Sequence, residues 1–129
     1  SNVDDPVTGV ERSWSGTAEW EVSFDFRQTF PERQMAWGWD YFYLSDASSY
    51  RVSRFTNIQH PAGDLDVYVE TTRWFGLTTR LGANFLLDST ERQDRIFYDG
   101  SRADGVERLH QQRFFENGPQ VFLSVRGAF

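Results

Sequence analysis

Residues 65–88, LDVYVETTRWFGLTTRLGANFLLD, alternate apolar and polar side chains twice, once on each side of a turn. In the first run Leu65, Val67, Val69 and Thr71 interleave with Asp66, Tyr68, Glu70 and Thr72. In the second, Leu77, Thr79, Leu81, Ala83 and Phe85 interleave with Thr78, Arg80, Gly82 and Asn84. A period of two belongs to a β-strand with two differently solvated faces. Between the runs, Trp74-Phe75-Gly76 reads as a three-residue loop with its glycine in the left-handed position. Closing the hairpin on that loop sets Glu70 opposite Arg80, a cross-strand ion pair on the polar face. Asp88 is expected to end the second strand.

The same pattern recurs upstream. From Trp14 to Phe26 the even positions are Trp14, Gly16, Ala18, Trp20, Val22, Phe24 and Phe26, against polar residues at most odd positions. Phe30-Pro31-Glu32-Arg33 offers a turn with a fixed φ at proline. Beyond it, Met35, Trp37, Trp39, Tyr41 and Tyr43 share one face. A two-residue loop would pair Phe26 with Trp37, Phe24 with Trp39 and Val22 with Tyr41, matching face to face. The chain closes with Gly118-Pro119 and a last strand carrying Val121, Leu123, Val125 and the terminal Phe129 on one side.

Both tight turns lie on one side of a sheet if an even number of strands separates them. Residues 34–59 are then read as one long, bent strand, followed by a turn at His60-Pro61-Ala62-Gly63. This gives five strands, in preference to six. Residues 89–117 are polar, hold two glycines and only short apolar patches such as Ile96-Phe97-Tyr98, and read as a long loop. Residues 1–12 read as a disordered lead-in, its Ser-Asn start the remnant of an expression tag. The expected organisation is a β-segment over 13–129. The absence of a signal peptide is expected of a mature product or an excised piece.

Composition narrows the function classes. With no cysteine there is neither a disulfide framework nor a thiolate metal site. A net charge of −6 argues against a nucleic-acid surface. All 13 basic residues are arginine, which base composition of the genome explains as readily as physics. No apolar run is long enough for a membrane-spanning helix. Membrane strands alternate and have unremarkable hydropathy, so a mean hydropathy of −0.60 with 17% aromatic residues suits an outer-membrane barrel. It suits a soluble β-sandwich or small barrel equally. One strand face is apolar; the other carries Asp25, Arg27, Asp40, Asp66, Glu70, Arg80 and Arg126. The apolar face is core in the soluble alternative and lipid-facing in the barrel.

Three stretches, FRQTFPERQMAWGWDYFY, LDVYVETTRWFGLTTRLGANFLLD and RFFENGPQVFLSVRGAF, together resemble the C-terminal end of TonB-dependent outer-membrane receptors. Asn84-Phe85-Leu86-Leu87-Asp88 resembles the motif that closes the penultimate strand in that family. Val121, Leu123, Val125 and Phe129 resemble the terminal signal that the outer-membrane assembly machinery reads. Gly127 departs from the pattern, which favours a bulkier apolar residue there. The resemblance spans about Trp14 to Phe129, close to a quarter of the family's barrel, and includes no recognisable plug domain or TonB-binding motif. It implies an all-β, antiparallel meander of about five long strands, a barrel segment in the cell outer membrane serving uptake of an iron chelate, vitamin or carbohydrate. Implied partners are the rest of the barrel and plug domain, TonB through parts not found here, the assembly machinery and lipid. An isolated sheet of this kind is expected to form a homo-oligomer through its edge strands.

Other constellations in the sequence each have a simpler explanation beside the functional one. Trp20, Trp37, Trp39, Tyr41 and Tyr43 form a candidate aromatic face: an interfacial girdle, a sugar platform, or the packed side of a hairpin. The long loop offers Arg92, Arg95, Arg102 and Arg108 as candidate ligand contacts for an anionic chelate, or as self-paired charges. The pairs Asp64/Asp66 and Glu19/Glu21 have the spacing of any polar strand face, and no nucleophile elbow or phosphate loop is present. His60 and His110 lack a ligand set. No enzyme activity, cofactor, metal or nucleic-acid partner is expected. The alternative function is a soluble β-rich binding module for a sugar or apolar ligand.

Overall fold

A computed structural model describes residues 2–127. The chain is all-β and antiparallel. Its strands are β1 (Asn2–Asp4), β2 (Glu11–Ser13), β3 (Glu21–Phe30), β4 (Met35–Leu44), β5 (Ala47–Arg51), β6 (Arg54–Gln59), β7 (Asp64–Trp74), β8 (Leu77–Asn84), β9 (Thr90–Tyr98), β10 (Glu107–Glu116) and β11 (Gln120–Arg126). They form a two-stranded sheet β1-β2, a four-stranded sheet β10-β9-β6-β5 and a five-stranded sheet β11-β8-β7-β4-β3. The chain divides into two compact units, one holding the two smaller sheets and the other most of the five-stranded sheet.

The five-stranded sheet holds the expected hairpins. Glu70 pairs with Arg80, Val69 with Leu81 and Val67 with Ala83, so face parity follows the sequence. The loop itself is shorter than expected. Trp74 pairs with Leu77, leaving Phe75 and Gly76 as a two-residue turn with φ of 55° and 69°, the left-handed pair that suits strand twist. A bulge between Thr71 and Trp74 absorbs the odd residue and restores the Glu70–Arg80 register. The β3–β4 connection is longer than expected: a 3-10 turn at Pro31–Arg33, then Gln34 in the left-handed region at φ 52°. Two extra residues leave every side chain on its original face.

Residues 34–59 are not one strand. β4 stays in the five-stranded sheet and pairs directly with β7, from Met35↔Thr71 to Phe42↔Asp64. β5 and β6 form a separate hairpin that turns at Val52-Ser53, with Arg51 opposite Arg54. The segment His60-Pro61-Ala62-Gly63 joins β6 to β7, which belong to different sheets; proline has no N–H for a ladder there.

Residues 89–117 are not a long loop either. β9 and β10 occupy most of that stretch, and β6 pairs with β9 from Arg54↔Phe97 to Gln59↔Arg92. The lead-in at 1–12 is likewise structured. β1 and β2 pair around Asp5, whose side chain is 2% exposed and accepts hydrogen bonds from the Val7 and Thr8 N–H groups. Arg12 (3.0 Å) and Arg102 (2.6 Å) both ion-pair with Asp5, so a polar terminus is ordered by charge rather than by apolar burial.

Within the five-stranded sheet, both tight turns and the end of β11 fall on one side, because Met35, Thr71, Thr79 and Val125 line up across four strands. The ends of β4 and β8 fall on the other side.

Candidate functional site

One face of the five-stranded sheet is apolar across its width. Val121, Ala83, Val67 and Trp39 form one cross-strand row, and Leu123, Leu81, Val69 and Trp37 the next. Phe24 and Phe26 of β3 extend it, with ring pairs Phe26–Trp37 at 5.2 Å, Phe26–Trp39 at 6.0 Å and Phe24–Tyr41 at 6.5 Å. These side chains are not covered. Leu81 is 49% exposed, Leu123 68% and Val121 77%, and the one apolar residue that is buried in the described chain is the small Ala36 on the opposite face.

The opposite face is polar and closed on itself. Glu70 accepts from Arg27 Nη2 at 2.8 Å through one carboxylate oxygen, and from Arg80 Nη2 and Nε at 2.8 and 3.0 Å through the other. Arg27 lies on β3 and Glu70 on β7, two strand spacings or about 9.6 Å apart. Between them β4 presents only Ala36, opposite Glu70, and Gly38, opposite Tyr68. Small residues there let the guanidinium cross. Arg27 also donates to Tyr68 Oη at 3.1 Å, and the Arg80 guanidinium sits 4.1 Å from the Tyr68 ring centroid. Tyr68 lies over Gly38 and Phe122 over Gly82, so close that a Cβ at either glycine would meet the ring under 3 Å. Flat rings thus cover the backbone where strands lack side chains. Asp40 stands directly across from Asp66, and Asp25 of β3 shares the face of Arg27. Such a face can hold water and fixed charge beside a solute. Among the described residues, no group of three His, Asp or Glu side chains is disposed to hold a metal ion.

The candidate aromatic face is mostly assembled on the apolar side: Trp37, Trp39, Tyr41 and Tyr43 all belong to β4, whereas Trp20 precedes β3. Val121, Leu123 and Val125 lie on β11 at the sheet edge; Phe129 lies outside the described residues. In the motif at 84–88, β8 stops at Asn84, and Phe85 and Asp88 adopt left-handed φ of 56° and 50°. The Asp88 N–H donates to the Phe85 carbonyl and Leu86 N–H to that of Leu65. Leu86 and Leu87 remain exposed. The motif is a turn that ends the strand four residues earlier than expected.

The four candidate ligand arginines do not converge. Arg92 pairs with Asp94 on its own strand at 2.9 Å. Arg102 is held by Asp5 and lies against the Tyr50 ring. Burial alone would raise the Asp5 carboxyl, but the Val7 N–H and Arg102 hold it down at about 2. Arg108 is exposed on β10. Arg95 alone faces other cations: burial, then repulsion from Arg113 and Arg54, pulls its guanidinium below the usual arginine value. Arg54 and Arg113 carry no sequence signal of their own; only the β6–β9–β10 order brings them to Arg95.

Comparisons with protein-family models, curated proteins and solved structures return no match to this chain.

Proposed function

We propose that this chain is a wall segment of an outer-membrane β-barrel of the TonB-dependent receptor type, serving nutrient uptake in the cell outer membrane. The observation that carries the proposal is the apolar, uncovered face of the five-stranded sheet, backed by a polar face on which Glu70 is paired with Arg27 and Arg80. Water would penalise so much exposed apolar area in one patch, whereas lipid would not. Dimensions support the same reading. β3, β4 and β7 have 10, 10 and 11 residues, within the roughly 9–11 that a tilted strand needs to span a bilayer, whereas β8 and β11 have 8 and 7. Met35 to Tyr43 on β4 cover about 27 Å at 3.4 Å per residue, against an apolar band of about 25 Å in such barrels. Tight turns at one end of these strands and connections of long sequence at the other also match their habit.

In this reading β3, β4, β7, β8 and β11 cross the membrane. The edges β3 and β11 pair with strands from the rest of the barrel, around a plug domain. The assembly machinery reads Val121, Leu123, Val125 and Phe129, and TonB couples through segments that this sequence does not contain. The substrate class is an iron chelate, vitamin or carbohydrate.

Folding of the chain with and without detergent tests the proposal. Strand circular dichroism and quenching of tryptophan fluorescence by brominated lipid should appear only with micelles or bilayers. A monodisperse folded monomer in plain buffer would overturn it in favour of a soluble binding module.

A further inference from the structure

Five arginines of this chain, Arg12, Arg27, Arg80, Arg92 and Arg102, meet a carboxylate within 3.0 Å. Arg54, Arg95 and Arg113 are among the eight others that meet none among the described residues. Directly paired residues share a sheet face, as do alternate residues of one strand. Arg54 pairs with Phe97, Thr56 with Arg95 and Ile58 with Gln93. Arg54, Gln93 and Arg95 therefore stand on one face of the four-stranded sheet. Arg113 comes from β10, the neighbour of β9, close enough for its charge to act on Arg95.

Two buried atoms on this face lack a hydrogen-bond partner: Arg95 Nε, a donor, and Gln93 Oε1, an acceptor, on a side chain only 8% exposed. Uncompensated cations and an orphaned donor call for an oxyanion. The orphaned acceptor calls for a ligand that also carries a proton to donate. Hydrogen phosphate offers both at neutral pH, and a phosphate monoester does so in its singly charged form, through P–O⁻ and P–OH. Sulfate at neutral pH offers only acceptors.

We infer that Arg54, Arg95 and Arg113, with Gln93 beside them, form a binding site for a phosphate monoester or hydrogen phosphate. A soluble ester and a phosphorylated lipid headgroup present the same chemistry. The site goes beyond the barrel-wall proposal and does not depend on it, since a soluble chain with this sheet would bind equally.

The test is equilibrium dialysis of the complete, folded 129-residue chain against radiolabelled phosphate. Saturable binding is expected, with sulfate competing at least about tenfold more weakly. Arg95→Gln should weaken binding by about tenfold or more, the loss of one charge-assisted contact, with unchanged strand circular dichroism. Arg108→Gln, an exposed arginine outside the cluster, should leave affinity within about twofold. Gln93→Leu should abolish the preference for phosphate over sulfate. Competition by glycerol phosphate identifies a soluble source; binding confined to phosphatidylcholine vesicles doped with phosphatidate identifies a lipid one. No saturable binding to phosphate, glycerol phosphate or phosphatidate by the folded chain would overturn the inference. So would equal losses in Arg95→Gln and Arg108→Gln, which would reduce the effect to diffuse charge.

Discussion

The phenol oxygen of Tyr68 lies 2.7 Å from where a side chain on Gly38 would begin, with the Phe26 carbonyl closer still. The glycine is thus a seat for the ring, and the ring in turn shelves Arg27 and Arg80 above it. Gly38→Ala should lower stability by about 2 kcal/mol, an overpacking cost, in urea unfolding of the micelle-bound chain. The Phe26 oxygen belongs to the backbone and cannot swing away, so trimming Tyr68 as well should not restore stability. Gly118→Ala, with open space around it, should stay within about 0.5 kcal/mol of the parent.

Leu81→Arg distinguishes lipid from water on the apolar face. A guanidinium there should destabilise the chain by about 2–4 kcal/mol in bilayers if the position lies near the midplane. In a water-soluble fold an exposed substitution of this kind stays within about 0.5 kcal/mol. Unfolding in lipid vesicles measures the difference.

Asp5 makes the N-terminal hairpin sensitive to acid. Its carboxyl stands at about 2 in the fold against an ordinary 3.8. A depressed folded value adds stability that is fully present above the ordinary one and is lost as pH falls through the folded one. Pepsin cleavage within residues 6–12 should therefore accelerate between about pH 4 and about pH 2, the window these two values set. Asp5→Asn should flatten that acid limb while lowering stability at neutral pH by roughly 3 kcal/mol, since Arg12 and Arg102 lose their shared partner.

Phe75 holds a left-handed backbone at φ 55° with its side chain 97% exposed. An aromatic residue is strained there by about 1 kcal/mol, and asparagine is not. Phe75→Asn should raise stability by about that amount in detergent unfolding.

Sequence periodicity located the parts where two faces differ. The Glu70–Arg80 register, the aromatic row of β4 and the apolar side of β11 are all legible because one-residue slips would invert them. β9 was not legible: Thr90-Glu91-Arg92-Gln93-Asp94-Arg95 is polar on both sides, and its strand form depends on pairing with β6. The turn at Val52-Ser53 lacks glycine and proline, so chain reversal appeared to belong at Pro61 and Gly63. Order at the N-terminus depends on Arg102, 97 residues from Asp5, and no local window contains both. The Arg54–Arg95–Arg113 cluster was hidden for the same reason. Its members are scattered along the chain and meet only through sheet order.

Each compact unit is stitched from three separate stretches of chain, 1–21, 44–61 and 90–115 for one and 22–43, 62–89 and 116–129 for the other. Neither can be cut out as a continuous piece or transplanted by a single crossover between genes. A lineage carrying this fold must therefore diversify one half through substitutions and hairpin-length changes in place, with the other half inherited alongside it.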